Sequence, residues 1–256
     1  MAIKKFDKEV IDTFLNVEAE DVFDVQPLNN KDKLTIKAKI RSLLGKSSHG
    51  KQNNLLEVIK KNFTPEDYVE LKQTGKKVFC TVYNLNTKLS ESVNICKPSM
   101  DYETAMKFVF ASASIPLAVE PVRIGESWYY DGSVVEHNGG KNLAKRKHIK
   151  RLFTVWSRPD ILGEIKKTRI SNFHEKWKPG SIKKNGLRLL EGITFNTSLE
   201  DEETIDALCD ANKIEQQKIF PTHQLMKELY KFDKDLQLSM YEHGKDVART
   251  MFARLN

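Results

Sequence analysis

Two neighbouring stretches decide how this chain is read: Phe110-Ala111-Ser112-Ala113-Ser114-Ile115-Pro116, and then Glu126-Ser127-Trp128-Tyr129-Tyr130-Asp131-Gly132-Ser133-Val134-Val135. The first is the end of an apolar helix, stopped by small residues and a proline that cannot continue it. The second is a short aromatic strand, Trp128-Tyr129-Tyr130, that delivers an acid and a glycine at its end. In open α/β sheets, sites gather where strands end, so Asp131 is the candidate functional residue. Gly132 permits either a close backbone approach or an unusual φ. Asp-Gly is also among the commonest turn dipeptides, and on these residues alone an ordinary turn stands beside the functional reading.

The flanking chain alternates helices with strands. Ile3, Phe6, Val10, Phe14 and Val17 recur at helical spacing, so a helix is expected over 3–17. A loop is expected over 21–30, around Pro27, and a short helix over 54–62. Thr64-Pro65-Glu66-Asp67 is a helix start: Thr64 caps, Pro65 fits the first turn, and Asp67 closes the box. That helix is expected to end near Gly75. Val78 to Tyr83 reads as a buried strand with a partner over 92–95, and a helix is expected over 101–111. Leu152 to Trp156 reads as another buried strand. A helix is expected over 199–219, capped by Ser198 with Glu200, Asp201, Glu202 and Glu203 in its first turn. A long amphipathic helix, interrupted at Gly244, is expected over 222–255. Alternation of this kind argues for an α/β fold with a largely parallel sheet.

The ordered set of helix, Ser-Ile-Pro turn, variable strand, Asp-Gly strand end and Val134-Val135-x-x-Asn138 resembles the C-terminal half of the patatin-like phospholipase domain. Asp12 to Pro27, with Asp21-Val22-Phe23 inside it, and Val78 to Asn84 with Thr87 extend the resemblance to roughly residues 10–160. Two positions depart from the family: Ser133 stands where a second glycine is usual, and Gly139-Gly140 follow Asn138 where proline is frequent. The resemblance implies a three-layer α/β fold with a central, mostly parallel sheet that lacks its first βα units. Residues 1–160 would form the incomplete core, and 161–256 a basic, helical region packing on the same domain. It further implies a Ser–Asp dyad acyl hydrolase acting on phospholipid or another acyl ester, with Asp131 as the base and no cofactor.

The dyad's other half is not found. The family's nucleophile sits in Gly-x-Ser-x-Gly, and none of the twelve glycines has another four residues away. The one adjacent pair, Gly139-Gly140, falls after Asp131 rather than in an upstream oxyanion loop. Gly45-Lys46-Ser47-Ser48-His49 comes nearest, but has no strand before it and a histidine in place of the second glycine. Its Gly-Lys-Ser is not a phosphate loop, because Ile40 stands where that loop needs glycine. Ser112 and Ser114 are expected to end a helix, and His137 is given no role. The expectation is therefore an N-terminally truncated hydrolase whose nucleophile precedes Met1. A non-catalytic relative that binds lipid or a protein is the alternative.

Composition is that of a globular protein, 39% hydrophobic and 30% charged. The longest nearly apolar run, Phe108 to Val119, is too short to span a bilayer. No signal-peptide pattern opens the chain, and Cys80, Cys96 and Cys209 lack metal or disulfide spacing. A cytoplasmic protein, peripheral to a membrane at most, is expected. Charge is uneven: residues 141–188 hold fifteen Lys/Arg and three Asp/Glu, in a chain whose net charge is +7. With Trp156, Phe173 and Trp177 interspersed, this segment suits an anionic membrane surface. A solvated lysine-rich face is the plainer reading. Nucleic acid ranks below both, since the sequence carries no recognisable nucleic-acid module.

Overall fold

Local signals set most elements of the first of two compact units. The computed structural model describes residues 8–29, 33–136, 138–157, 182–222 and 233–253. One unit holds the described residues up to Ser133 and from Asp233 to Leu238; the other holds the remainder. The contacts thus divide the chain at Ser133, whereas the sequence reading divides it at residue 160 and gives the strand over 152–156 to the first part.

The first unit opens with helices α1 (Lys8–Asn16), α2 (Ala19–Val22), α3 (Ile36–Leu43), α4 (Asn53–Asn62) and α5 (Pro65–Gln73). Residues 3–7 of the helix expected over 3–17 lie outside the described residues. The capping box of α5 is as expected. The Thr64 hydroxyl accepts from the Asp67 N–H, and the Asp67 carboxylate accepts from the Thr64 N–H at 2.8 Å. The chain leaves that helix through Gly75 at φ +69°. Helix α3 has no counterpart in the sequence reading, although Thr35 caps it by accepting from the Ala38 N–H.

Strands β1 (Phe79–Asn84), β2 (Leu89–Asn94), β3 (Val122–Ile124) and β4 (Ser127–Asp131) form a sheet in the order β2-β1-β4-β3. Every neighbouring pair in it is antiparallel. The mixed α/β class is as expected; the largely parallel sheet is not what these strands form. For β1–β2 and β3–β4 the reason lies in two tight connections, which make antiparallel neighbours unavoidable. Asn84 Oδ1 accepts from the Asn86 and Thr87 amides, and Lys88 takes φ +61°, closing β1 onto β2. Gly125, also at φ +61°, closes β3 onto β4. Helix α6 (Tyr102–Ala111), capped by Asp101, buries Ala105, Met106 and Phe108 against Val82, Val93 and Tyr129. The Phe108 and Tyr129 rings meet edge to face at 5.4 Å.

A 3₁₀ turn, Gly132–Val134, follows β4. The second unit contains α7 (Gly140–Ala144), β5 (Arg151–Val155), α8 (Ile182–Asn212) and β6 (Glu215–Ile219), with Leu152, Trp156, Ile205, Cys209 and Ile214 as its core. β5 and β6 pair in parallel, the one parallel pairing among the described residues. The helix expected over 199–219 is corrected at both ends. Ser198 lies inside α8, and the chain leaves that helix at Lys213 (φ +54°) to form β6. Asp201 and Glu202 are not exposed first-turn acids. Each is about 1% exposed, Asp201 paired with Lys141 at 2.6 Å and Glu202 with Lys218 at 3.0 Å. β5 is only half the buried strand expected, since Phe153 and Val155 are exposed. Helix α9 (Lys234–Ala253) runs unbroken through Gly244, and its first turn, up to Leu238, belongs with the first unit.

Candidate functional site

Asp131 ends β4 opposite Val82 of β1. Its N–H donates to the Ser114 carbonyl at 2.9 Å. Its Oδ1 accepts from the Ser133 N–H, also at 2.9 Å, so the half-buried carboxylate is oriented by the turn it opens. Gly132 answers the question its sequence left open. A Cβ there would stand 2.6 Å from Thr81 Cγ2, 2.7 Å from Thr81 C and 2.8 Å from Val82 N. Its φ lies outside the left-handed region. Close approach to β1 explains the glycine; a left-handed turn does not.

The Ser-Ile-Pro turn is bonded on several sides. Ser114, fully buried, gives its hydroxyl hydrogen to the Phe110 carbonyl at 2.9 Å and accepts from Gln52 Nε2 at 2.7 Å. Ser112 donates to the Thr81 carbonyl at 2.9 Å. Both hydroxyls therefore hold backbone, as expected of residues that end a helix, and neither is presented as a nucleophile. Leu117, at φ +68°, accepts from the His49 N–H at 2.9 Å, and Ala118 from the Gly50 N–H at 2.7 Å. Burial pushes the Tyr130 phenol up, helped by the Glu120 charge and opposed by a bond to the Leu117 backbone. Gln52 gave no signal in the sequence: a lone glutamine before a helix looks like any polar loop residue.

The loop containing Gly45-Lys46-Ser47-Ser48-His49 does not build a nucleophile turn. It follows the C-terminus of α3 rather than a strand. Buried Ser48 donates to the Gly50 carbonyl at 2.8 Å. Ser42 lies 2.8 Å from His49 Nδ1, yet also bonds the Ala38 carbonyl at 2.9 Å, as hydroxyls near helix ends do. The Gly45 and Lys46 amides, which an oxyanion would need, bond the Ser42 and Arg41 carbonyls. A cleft of about 170 Å³ lies between Gln52, Phe110, Glu120, Val122 and Arg123. Asp131 does not line it.

In the second unit, Trp156 is 4% exposed and stacks on Phe220 at 6.0 Å. It is a core residue, which corrects its place among the aromatics offered to a membrane. Lys141 and Arg151 of the basic segment hold Asp201 and Glu215. Phe173, His174 and Trp177 lie outside the described residues, as does His137. Asn138 Oδ1 accepts from the Gly140 N–H at 2.8 Å, and a Cβ at Gly140 would meet Ile205 Cδ1 at 2.9 Å. The departure at Gly139-Gly140 thus starts α7 tightly against α8. Among the described residues no group of three His, Cys, Asp or Glu is arranged to hold a metal, and no helix is long and apolar enough to cross a membrane. Compared with known proteins, the chain matches no family model, no curated protein and no solved structure.

Proposed function

We propose that this chain is the C-terminal part of a patatin-like lipid acyl hydrolase, in which Asp131 is the base of a Ser–Asp dyad. In that reaction the serine hydroxyl passes its proton directly to the carboxylate as its oxygen attacks the ester carbonyl. Backbone N–H groups of a glycine-rich loop then hold the tetrahedral oxyanion. On this reading the serine and the loop are supplied by residues outside these 256, and the three-layer fold is complete only with them. Phospholipid or another acyl ester is the substrate, and the basic segment over 141–188 faces an anionic membrane.

One observation carries the reading. The two stretches that bear the resemblance are bonded to each other, Asp131 N–H to Ser114 carbonyl, with Gly132 seated on β1 where no side chain fits. A carboxylate held at a strand end by its own backbone suits a base that must meet a hydroxyl at a fixed distance. The first test is fluorophosphonate labelling of the folded chain, read by intact mass. No adduct is expected; a stoichiometric adduct means that a reactive serine lies within the chain and sinks the half-dyad reading. The second is the DNA upstream of the Met1 codon. An in-frame strand, Gly-x-Ser-x-Gly and helix supports the proposal, and the lack of one removes it.

A non-catalytic, lipid- or protein-binding relative is the second reading. It is favoured by the bond from the Ser133 N–H to Asp131 Oδ1, which gives the carboxylate a structural use of its own. Stable folding with no esterase activity in any longer form separates this reading from the first.

A further inference from the structure

Helix α3 (Ile36–Leu43) is packed with the wrong face inward for a helix that stabilises a core. At 100° per residue, Ile36, Ile40, Leu43 and the C-cap Leu44 share one arc of about 100°. These four are exposed at 77, 50, 87 and 67%. The side turned inward carries Ala38, fully buried, and Arg41. Arg41 fastens the helix through Glu120 at 2.6 Å and the Ser48 carbonyl and hydroxyl at 3.3 Å. Lys37 and Lys39, both exposed, flank the apolar arc on either side. From Lys33 to Leu56 the sequence holds five lysines and Arg41 but no Asp or Glu. Leu117, 58% exposed at its tip, belongs to the turn bonded to the loop that follows α3.

We infer that α3 is a docking helix for an anionic phospholipid surface. Apolar side chains on one arc with lysines at its edges, and the one adjoining carboxylate, Glu120, already held by Arg41 and Lys51, is the arrangement that lies in a bilayer interface. The leucines and isoleucines enter the acyl boundary, and the lysine stems reach back to phosphate. A second copy of the chain fits less well. Four side chains cover only part of the roughly 800 Å² per partner of a stable dimer, and facing stripes would bring the lysines of both copies together. The surface joins the candidate site through the His49–Leu117 and Gly50–Ala118 bonds, on the turn whose Ser114 holds Asp131. The inference does not rest on acyl chemistry, and the labelling result leaves it unaffected.

The test is flotation of the full chain with phosphatidylcholine vesicles, with and without phosphatidylserine. Partitioning is expected to require phosphatidylserine and to weaken with salt. Leu43→Ser with Leu44→Ser is expected to lower it roughly tenfold or more. Lys37→Gln and Lys39→Gln are expected to lower it roughly fivefold each. All four side chains are exposed, so the far-UV circular dichroism should not change. Binding indifferent to phosphatidylserine overturns the inference, as does binding that these variants leave intact, which would place the contact elsewhere, the basic segment over 141–188 included. A concentration-dependent dimer dissolved by the leucine pair, without vesicle binding, overturns it in favour of a second copy.

Discussion

The Asp131 N–H and the Ser114 carbonyl are bonded at 2.9 Å, joining the end of β4 to the turn after α6. The bond fixes where the carboxylate starts, and the neighbouring Gly132 fixes how closely that strand end approaches β1. Both features concern backbone, so they constrain Asp131 whatever its chemistry.

Gly132→Ala separates close approach from turn geometry. At a relaxed position with compatible φ, such a change stabilises a fold by about 0.4–1 kcal/mol through the unfolded chain. Here the new methyl would meet Thr81 and Val82 backbone at 2.7–2.8 Å. A loss of about 1–3 kcal/mol is expected instead, as in overpacked cores. Urea denaturation checks it, and a neutral or stabilising result would contradict the packing described.

Asp131→Asn keeps an oxygen for the Ser133 N–H, so the fold of this chain should stay within about 1 kcal/mol of the parent. In any longer form that hydrolyses a p-nitrophenyl ester, the same change should lower kcat roughly 10²–10⁴-fold, the range for a lost general base. Undiminished turnover takes Asp131 out of the mechanism.

Burial pushes the Cys80 thiol up to about 11, and the neighbouring Cys96 adds to the shift. The folded state therefore keeps a proton that the unfolded chain releases nearer its ordinary value. The resulting stability is full below about pH 8.5 and is lost as pH rises towards 11. Iodoacetamide at pH 8.5 should alkylate Cys80 slowly until denaturant is added. Rapid native-state modification, mapped by peptide mass, would be the contrary outcome.

The β5–β6 sheet has two strands among the described residues, and β5 exposes Phe153 and Val155 on one face. The Phe252 ring lies 6.1 Å from that of Phe153 and covers part of this face. Short parallel strands with a partly exposed apolar face recruit further strands. Association that grows with concentration is expected in sedimentation velocity, and Val155→Lys should reduce it without loss of helix signal. A monomer at all concentrations, with a cooperative melt, would show that the chain needs no additional strands.

Much of the candidate site was legible in the sequence, and the contrast with the rest is one of range. The Thr64–Asp67 capping box, the β1–β2 pair and the helix stop at Ser112 to Pro116 each depend on residues a few positions apart. Hydrogen bonds and sterics within one turn decide such features, so neighbouring residues suffice to read them, and Asp131 stood out at its strand end while Ser114 was read only as part of a helix stop. Tertiary structure alone decided what depends on distant partners. Antiparallel pairing placed Asp131 opposite Val82, and contact with β1 chose between two uses of Gly132. Parallel pairing with β5 drew residues 215–219 out of a helix. Lys141 and Lys218 accompanied Asp201 and Glu202 into the interior. Arg41, bound to Glu120, turned the apolar arc of α3 outward. Burial and pairing are set by whichever groups the whole chain brings near, and a local window of sequence does not contain those groups.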